Sequence, residues 1–266
     1  VGIACLRPSG RLQCPIFGHF IMLTMNDVGL FVLCALTSAL TSVIGVGGGM
    51  TLLATLPNVL APNLVIPIHG ATQLISNLSR LALDWRLVAW RLIVPFLPGA
   101  LIGAGLGYFL LGSFSFAYLP LLLGVFILLV TWTRLVQRSG VLFNNMTVLG
   151  VFLTSTSLFI GSMGLILPSV LLHQGLKKDE VILTQSAMMS VMHAFKVLTY
   201  IAAGFAFWRY GGMMAMMLSG SVLGSFLGKH LRGRVNEARG VWLLKWTVTA
   251  LAVQLIVRWL WENLRA

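Results

Sequence analysis

From about Asp27 onward the chain is a succession of apolar runs of roughly 20 residues, each long enough to cross the hydrocarbon of a bilayer as a helix. That feature leaves few folds open. In lipid every backbone polar group must be satisfied within the protein, so such runs fold as helices, and a chain made of them is all-α and polytopic. Composition agrees: 58% of the 266 residues are hydrophobic, 9% are charged and the mean hydropathy is +0.94. Soluble domains carry about 25% charged residues, so a water-facing surface has too little to cover it. The net charge of +12 raises nucleic acid as a partner. The basic residues, however, stand mostly singly near the ends of apolar runs, the positive-inside pattern of a multi-pass protein of a bacterial inner membrane. The expected partners are the bilayer and a small solute, not nucleic acid.

Residues 1–25 differ from the rest. Arg7, Pro8, Gly10, Arg11 and Pro15 interrupt any helix, and the apolar stretch 16–25 is too short to span. No small-residue cleavage site follows it. This segment reads as a poorly structured extension, with Met22 or Met25 as the expected functional start. The cysteines, Cys5, Cys14 and Cys34, make no CxxC or Cys/His metal spacing, so neither a metal centre nor a disulfide framework is expected.

Internal similarity divides the remainder into two units, 26–137 and 138–266. Ile44-Gly45-Val46-Gly47-Gly48-Gly49-Met50 is matched by Ile160-Gly161-Ser162-Met163-Gly164-Leu165-Ile166, a shift of 116 residues from Gly45 to Gly161. The same shift places His69 on Gln185, Asn77 on His193 and Arg80 on Lys196. The triplet Gly99, Gly103, Gly107 recurs with identical spacing as Gly220, Gly224, Gly228. Each unit opens with an apolar run broken by small residues (28–60 and 147–173) and continues with three further runs: 64–83, 87–111 and 116–136, then 181–203, 210–228 and 241–261. The broken run is too long for one helix and too short for two full crossings. It is expected to form a broken, re-entrant hairpin of two short helices with its glycine-rich tip inside the membrane.

A hairpin plus three transmembrane helices makes an odd number of crossings, so the second repeat is inverted. Loop charges agree. The loop 112–115 is uncharged, whereas its counterpart 229–240 holds Lys229, Arg232, Arg234 and Arg239; Arg134, Arg138, Lys177 and Lys178 fall on the same cytoplasmic side. Four plain crossings per unit in parallel orientation is the alternative.

The residues that carry chemistry follow from this frame. Free N–H groups after a glycine break attract an anion, which makes Gly47, Gly48, Gly49 and Thr51 candidates; tight helix packing is the competing explanation. The Gly99 and Gly220 triplets are assigned to packing. The carboxylates Asp27, Asp84, Asp179, Glu180, Glu237 and Glu262 all lie at run ends or in loops, which disfavours a cation carrier. Inside the runs the polar residues are basic or neutral: His69, Gln73, Asn77 and Arg80 in one unit, Gln185, Ser190, His193 and Lys196 in the other. Most are three or four residues apart, hence near one helix face. Arg80 is expected to pair with Asp84, four residues on. Lys196 lacks such a neighbour and faces substrate or snorkels; His193 is a ligand or a hydrogen-bonded structural residue. The substrate set is therefore Gly47, Gly48, Gly49, Thr51, Gln73, Asn77, Gln185, His193 and Lys196. No nucleophile–base pair, Walker motif, metalloprotease motif or dinucleotide fingerprint appears, so neither catalytic residues nor a cofactor are expected. A carrier, an anion channel and an intramembrane enzyme remain as readings.

The glycine-rich tip 45–49, the following Ala71-Thr72-Gln73 and Asn77, and Asp84-Trp85-Arg86 leading into Gly99/Gly103/Gly107 resemble the TauE/SafE (sulfite exporter-like) permeases over residues 27–262. The second half departs from that pattern, with Ser162-Met163 at its tip and Phe207-Trp208-Arg209 at the later turn. The resemblance implies a permease for sulfite, sulfonates or related small anions. It would work by alternating access around a midplane site between the two tips, where glycine N–H groups, Asn77, His193 and Lys196 hold the anion.

Overall fold

The computed structural model describes residues 25–264 except 134–142, 162, 233 and 235. Most of the N-terminal extension, Cys5, Cys14, Met22, Arg134, Arg138 and Ser162 lie outside the described residues. Those described form ten α-helices and no strand. The first five are α1 (Met25–Ile44), α2 (Gly48–Thr55), α3 (Pro62–Asp84), α4 (Trp90–Leu111) and α5 (Leu119–Trp132). The second five are α6 (Met146–Ile160), α7 (Ile166–His173), α8 (Lys178–Ala202), α9 (Gly211–Leu231) and α10 (Glu237–Leu264). Five of the spans, in α1, α4, α8, α9 and α10, are long and apolar enough to cross a membrane. The α3 helix has the length but carries the polar stripe His69, Gln73, Asn77 and Arg80, all buried.

The broken runs are hairpins, but their arms are unequal rather than two short helices. In the first unit α1 has 20 residues and α2 has 8; in the second α6 has 15 and α7 has 8. The cause is local. Gly45 (φ +88°) and Gly47 (φ +93°) hold a left-handed conformation that side chains disfavour and turn the chain near the middle of the run. But α2 ends at Thr55, where a 3-10 turn over Leu56–Asn58 containing Pro57 takes over, while α1 reaches back to Met25. Gly161 (φ +86°) sets the other turn.

Packing follows the glycine pattern. In lipid, apolar side chains gain little from meeting one another, and helices associate where small residues let backbones approach. In α4, a Cβ at Gly99 would strike the Thr147 carbonyl, and one at Gly103 would lie 2.5 Å from the Val151 oxygen. In α9, Cβ atoms at Gly220, Gly224 and Gly228 would strike the carbonyls of Phe31, Ala35 and Ala39 in α1. Numbers rise together along both seams, so α4 runs parallel to α6 and α9 parallel to α1. The first helix of each unit thus packs against the fourth helix of the other.

The central pair, α3 and α8, is antiparallel: Arg80 meets Ser186 and Gly70 meets Lys196. Each tip glycine also reaches the opposite unit at an equivalent place, Gly45 against Ile182 and Gly161 against Ile66. At the helix ends Trp85, Trp90, Trp208 and Trp261 are exposed, as an interfacial aromatic belt requires.

Gly103→Ala and Gly224→Ala are expected to lower the thermal midpoint of the detergent-purified protein, each by the equivalent of about 1–3 kcal/mol. Gly105→Ala, on α4 but facing open space, should leave it unchanged or raise it. Equal behaviour of the three in a thermal-shift series would rule out close backbone approach as the determinant of these seams.

Candidate functional site

Many of the buried and half-buried hydroxyls along the spans satisfy themselves. Thr37, Thr41, Thr51, Thr55, Thr72, Ser186, Ser190 and Ser221 donate to carbonyls one turn back, a bond the helix supplies without tertiary help. The informative groups are those that must reach across helices, and they gather on α3 and α8 around the two tips.

The tips are held by side chains. His69 Nε2 donates to the Gly49 carbonyl at 3.0 Å, and Gln185 Nε2 donates to the Gly164 carbonyl at 3.1 Å. These anchors are 116 residues apart, the shift of the repeat. Lys196 Nζ donates to the Gly161 carbonyl. The Gly161 carbonyl, freed at the end of α6, is thereby paired inside the protein, whereas the Gly49 carbonyl lies in the first turn of α2 and takes the His69 bond in addition.

Between the tips lies a cavity of about 30 Å³, room for roughly one or two waters. Gly47, Gly49 and Met50 line it from the first tip, Gly164 and Leu165 from the second, and Gln73, Asn77, Arg80, Gln185 and Met189 from the central helices. Gly48, Gly49 and Met50 are the first residues of α2, whose leading N–H groups have no partner within the helix. The Gln73 amide sits beside Gly49, 3.3 Å from a Cβ built there.

Of the expected substrate set, Gly47, Gly49, Gln73, Asn77 and Gln185 meet at this cavity. Gly48 packs into α1, where a Cβ would strike the Thr37 carbonyl. Thr51 donates its hydroxyl to Gly47 O at 3.1 Å and stays behind the tip. His193 and Lys196 are fully buried and do not line the cavity; Lys196 points inward, so it does not snorkel.

Arg80 departs from its expected role. It does not pair with Asp84, which instead binds Lys229 at 3.3 Å. The Arg80 side chain is 3% exposed and donates to Asn77 Oδ1 at 2.6 Å, Ser76 Oγ at 3.1 Å and Ser186 Oγ at 3.4 Å. All three acceptors are neutral. A guanidinium has five N–H groups, so this one keeps donors for the cavity it lines. The signal was in the sequence: 73, 77 and 80 fall on one helix face.

His69→Ala and Gln185→Ala each remove one tip anchor, a bond worth about 0.5–1.5 kcal/mol. Hydrogen–deuterium exchange should accelerate roughly two- to tenfold at the released tip, around 45–51 for the first variant and 161–166 for the second. Unchanged exchange would show that these side chains do not hold the tips.

The family model described as Sulfite exporter TauE/SafE matches residues 30–255. No curated protein and no solved structure matches the chain. With a match spanning both hairpins, both central helices and nearly all of the described fold, the chain belongs to the sulfite exporter TauE/SafE family of membrane transporters.

Proposed function

We propose that the protein is a secondary carrier of small anions, sulfite or small sulfonates and carboxylates, in a bacterial inner membrane, and that the anion binds in the cavity between the two tips. The observation that carries this reading is Arg80: a buried cation with only neutral partners, opening onto a cavity that no carboxylate lines. A charge in that setting is costly unless something compensates it, and an anionic substrate is the compensation. The cavity is too small for a hydrated ion, so the substrate sheds its water. It takes in exchange the spare N–H groups of Arg80, the Gln73 amide and the leading N–H groups of α2.

Alternating access is the working mechanism. The hairpins α1–α2 and α6–α7 and the paired helices α3 and α8 recur in both units, and α3 and α8 are antiparallel. This supports two inverted repeats, whose rocking opens the cavity to either side in turn. The family is one of transporters, which favours a carrier over catalysis.

Purified protein in proteoliposomes should show saturable uptake and counterflow of radiolabelled sulfite or a small sulfonate. Arg80→Gln should cut the flux at least tenfold, the loss of a charged hydrogen bond worth about 1.5–3 kcal/mol, while Asp84→Asn leaves it unchanged. Conductance without counterflow would identify a channel. Wild-type flux from Arg80→Gln would remove the site.

Inversion has its own test. In a variant with the native cysteines replaced, Ser113→Cys should react with an impermeant maleimide from outside intact cells, and Asn236→Cys only after permeabilisation. Labelling from the same side would mean parallel repeats.

A further inference from the structure

The cavity between the tips has a counterpart under the repeat. Shifted by 116 residues, Asn77 and Arg80 become His193 and Lys196; shifted back, Gln185 becomes His69. These three residues also gather. The stem of Lys196 lies across α3 at Gly70, its Cδ 2.8 Å from a Cβ built there. Gly70 is the equivalent of Ser186, which Arg80 touches from the other side. Each long cation therefore crosses to the opposite central helix at the same register. The rings of His69 and His193 lie edge to face with centroids 5.9 Å apart.

The second cluster differs from the first in being sealed. His69, His193 and Lys196 are all 0% exposed. It also differs in being incomplete. His193 uses neither ring nitrogen, and His69, which donates from Nε2 to Gly49, leaves Nδ1 unpaired. Lys196 has three N–H groups and donates one to the Gly161 carbonyl. Among the described residues no carboxylate bonds any of the three. Buried polar groups are normally satisfied; the bonds to the Gly49 and Gly161 carbonyls use one donor each on His69 and Lys196 and leave His193 without a partner. The unmet set is N–H donors on Lys196, one donor and one acceptor on a neutral His193, and an acceptor on His69.

We propose that His69, His193 and Lys196 form a second, closed station for a small oxyanion, reached from the Arg80 cavity along the seam between α3 and α8. It rests on the reading of the Arg80 cavity as an anion site. Gly70 lies ten residues before Arg80 on α3, about 15 Å at the helical rise, and Gln73 and Asn77 stand between. The occupant accepts from Lys196 and His193 and gives one hydrogen bond to His69 Nδ1. A singly protonated oxyanion such as hydrogen sulfite, or an anion with one water, does both.

The test separates binding from passage, with radiolabelled sulfite as the probe. Lys196→Met in the full chain should bind sulfite at the Arg80 cavity but lose the second equivalent per chain, and lose counterflow at least tenfold. Gly70→Ala keeps the amine but crowds its stem, and should reduce counterflow about threefold or more. Wild-type counterflow in Lys196→Met overturns the station, and so does a parallel loss of binding and flux, which would mean a single site. If Lys196→Met gives no monodisperse protein, Gly70→Ala decides by the same two readouts. A wild-type protein that neither binds nor carries sulfite overturns the anion reading itself, and the station with it.

Discussion

The structure turns on backbone groups that a membrane cannot satisfy. Breaking two helices at depth frees carbonyls and N–H groups, and each must find a partner within the protein. Lys196 supplies such a partner for the Gly161 carbonyl, and His69 and Gln185 tie the Gly49 and Gly164 carbonyls beside the breaks to the central helices. Helices that carry such side chains cannot face lipid, so α3 and α8 take the centre. The apolar, glycine-seamed pairs α1–α9 and α4–α6 flank them. The site is a remainder of the same arrangement: donors at the tips and on the central helices that no protein group claims.

How much of this was legible in the sequence varied with the range of the interaction. The glycine triplets, the tips and the shift of 116 residues could be read because helix packing repeats at fixed intervals. The polar faces of α3 and α8 followed from three- and four-residue steps. What failed was partner choice. Asp84 stands one turn from Arg80, and local spacing favoured that pair, but Lys229 arrives from a helix 145 residues away and takes the carboxylate. Spacing along one helix cannot show which cations a distant helix will bring. The unequal hairpin arms were missed for a related reason. The glycines set the turns near mid-run, while the arm lengths depend on where the short helices stop, α2 at the 3-10 turn over Leu56–Asn58 and α7 at His173.

The two units are alike in framework and unlike in chemistry. Where one has Asn77 and Arg80, exposed to a cavity, the other has His193 and Lys196, sealed from it. Gln185 and His69 do the same work on their respective tips with different groups. A repeated frame permits such divergence because backbone packing constrains the glycines, whereas the polar positions are free of that constraint.

The exchange of partner helices between the units bears on how the chain is made. Ala35 of α1 is covered by Gly224 of α9, about 190 residues downstream, and at ordinary synthesis rates that is a wait of roughly 10–40 s. During this interval the emerging first half sits in the bilayer with its close-packing surface against lipid or the insertion machinery. Neither half is a self-sufficient folding unit, so truncation after the first repeat leaves α1 and α4 without partners. Having both halves in one chain fixes their ratio at one to one and ensures that the second half is always at hand.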